Sequence, residues 1–384
     1  MKINTKQRIK MVLTNTVFRV ISAINKAIPK DNQLILLYSN LGFRDNVAYL
    51  YNHLIDNEYN KKYKIIRSQN DKCREIIPKN VKVVSNTKGI LYFLRAGHVF
   101  YCFGKLPIYP SKHQIVIQMW HGTPFKDADE WQKATVSKQS YYTYLLMSSH
   151  YFDDIAKKYY GVKEENIAIC GQPRTDVMFK NNPIYKELKK YKKIVIWMPT
   201  FRKSTLMGYS NTSRDLVIPI LNSDDFKDIN DWLGKKGVCV LVKLHPMQDI
   251  SSFENLNLSN LYLLSHLEFV AKGWDLYRLI GQSDALITDY SSVFYDFMLL
   301  NRPMAFTVDD YDDYKDNRGF AVQDPDYLTP GYKIKTKADF KNFIVDIENG
   351  IDKFEEPRKE VNKLVNTFND GKQCERVLAL SKIE

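Results

Sequence analysis

The sequence predicts an α/β protein built from two doubly wound, Rossmann-like domains with a cleft between them. Short apolar runs alternate with segments whose apolar residues recur at helical spacing, and this alternation predicts parallel sheets covered by helices. The pattern begins near residue 33, pauses at a charged segment over residues 185–193 and then starts again. A chain of 384 residues is too long for one ordinary core and fits two domains.

In the first half, several runs have the length and composition of buried strands. They contain few polar residues, which is typical of parallel strands that are covered on both faces. The segments 46–56 and 151–160 lie between them and are predicted to be helices. The predicted strands cover residues 33–39, 63–67, 98–103, 114–120, 144–149 and 167–171.

The second half repeats the pattern and closes with helices from about residue 339 onward. We therefore expect an amino-terminal helix over residues 1–30, a first domain over 31–180 and a second domain over 181–384, with a boundary near residues 175–190. The predicted strands of the second sheet cover residues 194–198, 238–244, 261–265, 285–288 and 303–308.

The first 30 residues are basic and amphipathic. Every charged residue from Lys2 to Lys30 is a lysine or an arginine. This pattern predicts a helix that lies in the headgroup region of an anionic membrane leaflet, with a surface helix packed on its own domain as the alternative. No apolar stretch is long enough to cross a bilayer, and no signal-peptide cleavage site stands out. The apolar stripe consists of Ile9, Leu13, Val17, Val20, Ile21, Ile24 and Ile28.

The net charge of +12 predicts an anionic partner, such as a phosphorylated small molecule, a membrane surface or nucleic acid. The five cysteines have no metal-binding spacing, and most lie in apolar runs, as buried thiols do in a reducing compartment. The acidic run over residues 309–316 does not fit a calcium loop, because it lacks the EF-hand spacing and the closing glutamate. We therefore predict no metal site and no bound cofactor.

Reactive residues follow four of the predicted strands. The first cluster is Trp120-His121-Gly122-Thr123, after an apolar run over residues 115–117. Glycine and proline end that run, so His121 falls at the carboxyl end of a strand, where open α/β sheets bind ligands. An imidazole there can take a proton from a hydroxyl near neutral pH, as a general base does. A histidine held by backbone groups is the structural alternative.

The second and third clusters supply cations. Thr200 and Arg202 follow the strand predicted at 194–198, and a hydroxyl beside a guanidinium fork suits phosphate oxygens. Lys243 and His245 end another strand and should point to the same side, because side chains alternate along a strand. Two cations on one side of a strand end predict a pyrophosphate partner. Ordinary solvated or turn-capping side chains are the alternative.

The fourth cluster, Thr288-Asp289-Tyr290-Ser291-Ser292, joins a buried strand to a helix. Either serine is a natural N-cap, which would leave free backbone N–H groups at the positive end of the helix dipole. Such an end is an anion site, with an ordinary capped helix as the alternative. A Gly-rich turn is missing from the sequence, so NAD is not favoured. Farther on, we expect the loop at Arg318-Gly319 to present Arg318 to the cleft.

Taken in order, these segments resemble the CDP-glycerol glycerophosphotransferases, which build or prime teichoic acids and related polymers. The resemblance covers about residues 33–380 and implies a two-domain GT-B fold. The matching segments are Trp120-His121-Gly122-Thr123-Pro124, Gly171-Gln172-Pro173-Arg174-Thr175-Asp176, Pro199-Thr200-Phe201-Arg202, Lys243-Leu244-His245-Pro246, Thr288-Asp289-Tyr290-Ser291-Ser292 with Asp296, Arg302-Pro303, Arg318-Gly319, and Asp370-Gly371 with Arg376.

The resemblance implies a role for each cluster. His121 corresponds to the family's proposed base on the acceptor side, together with Trp120, Gly122 and Thr123. A loop containing Gly42 and Asn46 is similar to a further acceptor-side segment. His245 corresponds to a second essential histidine beside the donor phosphates. The donor side would also contain Thr200, Arg202, Lys243, Asp289, Ser291, Ser292, Arg318 and Gly319.

The implied reaction moves glycerol phosphate from CDP-glycerol to a hydroxyl of a lipid-linked saccharide and releases CMP, at the cytoplasmic face of the membrane. The chain is short for the family's polymerases and more similar to its stand-alone primases, although some stand-alone members elongate. A CDP-ribitol donor, chain elongation and a GT-B nucleotide-sugar glycosyltransferase remain alternatives. An inactive scaffold is disfavoured by the intact histidines. Nucleic acid is not predicted as a partner, because no RNA- or DNA-binding module is recognisable.

Overall fold

The structure, a computed structural model, describes residues 5–73, 75–103, 106–127, 141–200, 203–204, 209–210, 218–244 and 258–384. The chain forms two compact units, and each has its own parallel sheet. The first unit comprises Met1–Gly122, Ala128–Asp176 and Asp370–Glu384, and the second comprises Thr123–Asp127 and Val177–Asn369. The predicted class, α/β with two Rossmann-like domains, is confirmed.

The first unit is built on seven parallel strands: β1 Asp31–Tyr38, β2 Lys64–Ser68, β3 Val81–Val84, β4 Ala96–Tyr101, β5 Ile115–Gln118, β6 Tyr144–Met147 and β7 Ile167–Ile169. Their order in the sheet is β3-β2-β1-β4-β5-β6-β7. All residues of β4 are buried, as expected for a central strand that is covered on both faces. The first strand in sequence, β1, lies between β2 and β4, so the strand order reverses there.

The described part of the second unit contains eight strands: β8 Lys193–Met198, β9 Lys203–Ser204, β10 Tyr209–Ser210, β11 Val238–Lys243, β12 Leu261–Leu264, β13 Ala285–Thr288, β14 Met304–Thr307 and β15 Tyr332–Ile334. Six of them form a parallel sheet in the order β12-β11-β8-β13-β14-β15, and β9 and β10 form an antiparallel pair. As in the first unit, the first strand of the parallel sheet, β8, lies inside it.

Twelve described α-helices connect or flank the strands. Several begin at a side chain that satisfies the first free amides; Ser265 and Thr336, for example, each form a capping box with an acid three residues later. The first unit contains α1 Thr5–Ala27, α2 Asn46–Asp56, α3 Asn86–Phe93, α4 Asp153–Tyr160 and α12 Gln373–Leu380; the second contains α5 Asp225–Lys236, α6 His266–Ala271, α7 Leu276–Gln282, α8 Val293–Met298, α9 Tyr311–Asn317, α10 Lys337–Glu348 and α11 Glu355–Val365.

The strands β3 and β15 were not predicted from the sequence. Both are short and lie at a sheet edge, and each contains an exposed lysine, Lys82 in β3 and Lys333 in β15. An edge strand is only partly covered, so it lacks the continuous apolar run that identifies a central strand. These two segments form strands because they pair with β2 and β14, which are distant contacts that the local sequence does not show.

Two segments pack in a unit other than the one expected from their position in the sequence. The carboxyl-terminal stretch 370–384 belongs to the first unit, because Cys374, Val377 and Leu378 are part of its apolar core. The segment Thr123–Asp127 belongs to the second unit. Its Phe125 ring lies 5.0 Å from Phe294, measured between centroids, in an aromatic cluster of that unit. Apolar packing, and not order along the chain, decides both assignments.

The amino-terminal segment forms a helix, α1, whose apolar stripe is divided. Phe18 and Ile21 pack against the core of the first unit. The buried Asn25 amide donates to two groups of that unit at 2.9 and 3.0 Å, so the end of the helix is fixed to the domain. None of the described helices is long and apolar enough to cross a membrane. The described large apolar residues that remain exposed on α1 are Val17, Val20 and Ile24.

Candidate functional site

In the second unit, the strand order brings two of the predicted clusters to one point of the sheet. The central strand β8 lies between β11 and β13, and the connections leave it in opposite directions. Thr200 follows the carboxyl end of β8, and Asp289 follows the carboxyl end of β13. Doubly wound sheets bind their ligands at such a reversal of strand order. Thr200 and Asp289 therefore lie where this sheet offers a binding site.

Thr200 and Asp289 are bonded to each other. The Thr200 amide donates to the two carboxylate oxygens of Asp289 at 2.9 and 2.8 Å, and its hydroxyl donates to Oδ2 at 2.8 Å. Asp289 is 1% exposed. A buried anion whose oxygens are already occupied is poorly suited to contact a phosphate. Asp289 is therefore suited to fixing the Thr200 loop, and Thr200 is the better candidate for contact with a donor.

Ser291 and Ser292 precede the buried helix α8. Ser292 occupies the N-cap position with helical backbone angles, φ −62° and ψ −3°, and its side chain accepts no amide of the helix. The predicted N-cap position is therefore confirmed, but the Ser292 side chain forms no capping bond, because side-chain capping usually needs an extended N-cap residue. Both serines are partly exposed. The groups of this segment that a ligand could contact are therefore the two serine hydroxyls.

Lys243 ends β11, and its side chain contacts the residue that follows the strand. Its Nζ donates to the carbonyl of Leu244 at 3.0 Å and lies 5.4 Å from the centroid of the Phe269 ring. The lysine is partly buried, so its charge stays close to the carboxyl end of the sheet. Its predicted companions Arg202 and His245 lie outside the described residues.

The loop at Arg318 and Gly319 is tied to the segment that follows His121. Gly319 has φ +73°, a conformation that glycine adopts without strain. Its carbonyl accepts the Asp127 amide at 3.0 Å, and the Ala321 amide donates to the Phe125 carbonyl at 2.9 Å. These bonds, all within the second unit, fix the loop that carries Arg318.

In the first unit, the exposed His121 lies beside two aromatic rings. The ring centroids of Phe103 and Trp120 lie 5.4 and 4.4 Å from that of the imidazole. The residue retains exposure to solvent. Desolvation by the surrounding protein nevertheless lowers the pKa of His121, although the nearby Asp45 carboxylate opposes that shift. A lowered pKa keeps the imidazole neutral near pH 7 and thus able to accept a proton.

The loop that carries His121 is held in a strained conformation. Trp120 has φ +54°, a region that bulky side chains rarely adopt and that is enriched at functional sites. The amide of the fully buried Asn46 donates to the carbonyls of Met119 at 3.3 Å and Trp120 at 3.0 Å. It also donates to Gln172 Oε1 at 2.5 Å. Asn46 is too deeply buried for direct contact with an acceptor, and it positions the His121 loop instead.

The other predicted acceptor-side residues lie in different surroundings. Gly42 has φ +83°, and its carbonyl accepts the Ser39 hydroxyl. Gly122 belongs to the first unit with Trp120 and His121, whereas Thr123 packs with the second unit. The assignment of Thr123 to the first domain was therefore wrong, because the residues that follow it are held by the aromatic cluster around Phe125.

Three metal-ligating side chains meet elsewhere among the described residues. The ligand atoms of His53, Asp176 and Cys374 lie within 4.8 Å of one another. The carboxylate of Asp176 accepts the amides of Gln373 and Cys374 at 2.9 and 2.8 Å, at the start of α12. Burial raises the pKa of Asp176, and these amide bonds oppose the shift. The observed contacts of this cluster thus fasten α12 to the first unit.

A family model described as CDP-glycerol:poly(glycerophosphate) glycerophosphotransferase matches residues 20–380. The chain belongs to this family. It is 27% identical over 365 residues to a teichoic acid poly(glycerol phosphate) polymerase of Bacillus spizizenii, which covers 87% of this chain and 88% of the polymerase. It is 28% identical over 308 residues to a teichoic acid ribitol-phosphate primase of the same species, which covers 72% of each. The structure of a wall teichoic acid polymerase, TagF, has the same fold, with a TM-score of 0.70 at 20% identity over 100% of this chain and 98% of that one.

The chain is therefore a transferase of the teichoic acid glycerol- and ribitol-phosphate family, as its motifs predicted. The relatives include polymerases and primases, and enzymes named for glycerol phosphate as well as for ribitol phosphate. Family membership confirms the reaction class. It does not determine which polyol phosphate is transferred or which acceptor receives it.

Arg174 is a site residue that the sequence did not single out, although it lies in one of the family segments. Its Nη1 donates to the carbonyl of His121 at 2.8 Å and pairs with the Asp45 carboxylate at 2.8 Å. Its main-chain amide donates to Asn46 Oδ1 at 3.1 Å. The side chain is buried, so these bonds are weakly screened by solvent. Its position after a predicted strand was the one sequence feature that could have marked it as a site residue. Its contacts could not be predicted, because they are made with loops that are distant in sequence.

Proposed function

We propose that the chain transfers glycerol phosphate from CDP-glycerol to a hydroxyl of a membrane lipid-linked saccharide and releases CMP. The acceptor oxygen attacks the phosphorus next to the glycerol, the P–O bond to CMP breaks, and the acceptor proton passes to a base. Such a transfer depends on positioning and on charge stabilisation. The family match and the similarity to a poly(glycerol phosphate) polymerase support this donor.

In this proposal His121 is the base, and its environment is the observation that carries the proposal. Desolvation lowers the pKa of His121, so the ring is neutral near pH 7, and Asn46 and Arg174 fix the main chain on either side of it. A positioned base contributes roughly 10²–10⁴-fold to the rate. His121→Ala should reduce CMP release by that factor and leave the unfolding curve almost unchanged. Near-normal turnover by this variant would sink the assignment.

On the donor side, the second unit would bind the phosphates through hydroxyls and cations at the carboxyl edge of its sheet. Asp289 holds Thr200 in place, and the bonds of Gly319 hold the loop of Arg318. These cations and hydroxyls would stabilise the charge that develops on the transferred phosphoryl group. The proposed contacts are Thr200, Lys243, Ser291, Ser292 and Arg318, with Arg202 and His245 added from the family segments.

We further place the chain on an anionic membrane at the cytoplasmic face, as a peripheral protein held by α1. The exposed Val17, Val20 and Ile24 form an outward apolar row, and Arg19 and Lys26 are exposed on the same helix. An exposed apolar row with flanking cations favours insertion at the level of the headgroups. Because Asn25 is bonded to the first unit, a helix anchored in this way would bring the domain to its lipid-linked acceptor.

The test is a donor panel with purified protein and a lipid-linked disaccharide, followed by CMP release and by the mass of the product. CMP release from CDP-glycerol with one glycerol phosphate added is the expected result for a primase. Turnover of a UDP-sugar, with no turnover of either CDP-polyol, would overturn the proposal and leave only the family and the fold.

A second candidate uses CDP-ribitol or elongates a chain. The 28% identity to a ribitol-phosphate primase favours the first variant, and the 27% identity to a poly(glycerol phosphate) polymerase favours the second. Phosphate-binding residues contact the CDP group that both donors share, so they do not distinguish glycerol from ribitol. The donor panel identifies the polyol. Preference for CDP-ribitol would change the polyol, and a ladder of products would identify a polymerase.

A further inference from the structure

The second unit carries a basic surface that the proposed reaction does not use. Residues 180–193 contain six lysines and one glutamate, so a large part of the net charge of +12 is concentrated in this short segment. Lys193 is paired, with its Nζ 3.2 Å from Asp284. The exposed lysines of the segment that have no acidic partner among the described residues are Lys186, Lys189, Lys190 and Lys192.

A pocket of about 500 Å³ opens in this surface, which is a volume typical of small-ligand sites. Asp284 is the carboxylate in its wall, and it is already engaged by Lys193 and by the Ile194 amide at 2.8 Å. The wall therefore has an excess of positive charge. The cationic residues that line it are Lys180, Lys192, Arg278 and Arg302.

Arg278 is held rigidly in this wall with part of its guanidinium unused. Its Nη2 donates to the Pro183 carbonyl at 2.7 Å, and the group lies 4.4 Å from the centroid of the Tyr185 ring. Its Nε is buried and has no hydrogen-bond acceptor among the described residues. The Nε lies too deep for a ligand to contact it, but the fixed guanidinium brings a positive charge to the wall, and a charged group of this kind suits a phosphate.

The pocket lies at the edge of the second sheet opposite the proposed donor site. Its wall contains Ile194, the second residue of β8, together with Asp284 just before β13 and Arg302 just before β14. These positions are the amino ends of parallel strands, whereas Thr200 and Asp289 follow the carboxyl ends. The pocket is therefore separate from the site at which the donor phosphates are proposed to bind.

We propose that this pocket binds phosphodiester groups of a poly(polyol phosphate) chain, the polyanion that an enzyme of this family extends. The identity of that chain rests on the second candidate of the proposed function, in which the enzyme elongates a chain. A flexible chain can lower a single phosphate into a concave pocket, whereas a flat membrane leaflet would meet mainly the exposed residues at its rim, such as Lys180 and Lys192. Successive phosphates would then meet the surrounding lysines, because such a chain spaces its charges much as single-stranded nucleic acid does.

The probe is a short synthetic oligo(glycerol phosphate) with a fluorophore, titrated against the full chain by anisotropy at several salt concentrations. Lys180→Gln/Lys192→Gln removes two cations from the pocket. Affinity should fall about tenfold at low salt, and the slope of log K against log salt should decrease by about 1.4, since each lost phosphate contact accounts for about 0.7. Arg278→Gln should weaken binding in the same direction.

The matched control, Lys227→Gln/Lys363→Gln, removes the same charge from exposed lysines of the second unit that do not line the pocket. Equal losses in the two double variants, or no binding by the wild type, would overturn the proposal in favour of non-specific attraction. Loss of binding to phosphatidylglycerol vesicles with retained oligomer binding would assign the surface to the membrane instead and also overturn it.

CMP release with a lipid-linked disaccharide is measured in parallel, and Lys180→Gln/Lys192→Gln should retain the wild-type rate. If even the wild type releases no CMP, the proposed function fails. The anisotropy titration does not depend on turnover and still decides whether the pocket binds the phosphodiester chain.

Discussion

Asn46→Ala is expected to slow turnover about a hundredfold while the KM for the donor stays unchanged. The side chain is fully buried; its two amide hydrogens are shared among three acceptors, and its Oδ1 accepts the amide of Arg174. Two of the donated bonds hold the carbonyls of Met119 and Trp120, directly before His121. Loss of these bonds frees the strained Trp120 and allows the base to move.

The magnitudes follow from the bonds. Each buried hydrogen bond contributes about 1 kcal/mol net, so the variant, which loses two donated hydrogens and one accepted bond, should lose roughly 3 kcal/mol of unfolding free energy. Water does not readily replace the lost hydrogen bonds, because Asn46 is 0% exposed. A displacement of the base by about 1 Å costs about 10²-fold in rate, or about 2.7 kcal/mol of transition-state stabilisation.

The assay combines urea unfolding with initial rates of CMP release in detergent. Asn25→Ala is the matched control: this asparagine is equally buried, lies in the same unit, and donates to a carbonyl at 2.9 Å and to Gln114 at 3.0 Å, away from the His121 loop. It should lose comparable stability and retain turnover. Wild-type turnover by Asn46→Ala, or equal loss of turnover in both variants, would refute the reasoning, because the bonds would then serve only the fold.

Three further predictions concern the base, the membrane helix and metal ions. The profile of kcat/KM against pH should rise through a pKa below about 6.5 and then level off, since His121 must be neutral to act as a base and its pKa is lowered; a midpoint well above that value contradicts the role. Val20→Asp/Ile24→Asp should weaken binding to anionic vesicles, measured by co-sedimentation, without loss of secondary structure; substitution is cleaner than deletion, because Lys30 Nζ donates to the Leu94 carbonyl at 2.6 Å and belongs to the fold. Activity should survive EDTA, since no metal is proposed in the transfer, and complete loss on chelation would contradict that view.

The central strands and the position of His121 were predictable because their signals are local. Residues of β4 and β13 are buried on both faces, so the sequence there is mostly apolar. Gly122 and Pro124 mark the end of the run before His121, which therefore lies at the carboxyl end of its strand. The edge strands β3 and β15 were missed because half-covered strands carry no such run.

The environment of each site residue was less accessible. Nothing in the segment around Asn46 indicates that its amide binds carbonyls more than 70 residues away. In the same way, the bonds between Asp289 and Thr200 depend on β13 lying beside β8, and the conformation of Ser292 depends on the packing of α8. Burial separates residues that face a substrate from residues that hold them, and burial is a property of the assembled fold.

The sequence by itself determined the two-sheet class, the family and the strand ends at which reactive residues gather, because periodicity and motifs are written along the chain. Tertiary structure decided which of those residues remain accessible, which unit Thr123 and the carboxyl-terminal stretch join, and that Arg174 anchors the His121 loop. It also gathered the basic pocket around Arg278 from three separate segments. The physical reason is that packing and hydrogen bonding join residues distant in sequence, and no local pattern encodes such partners.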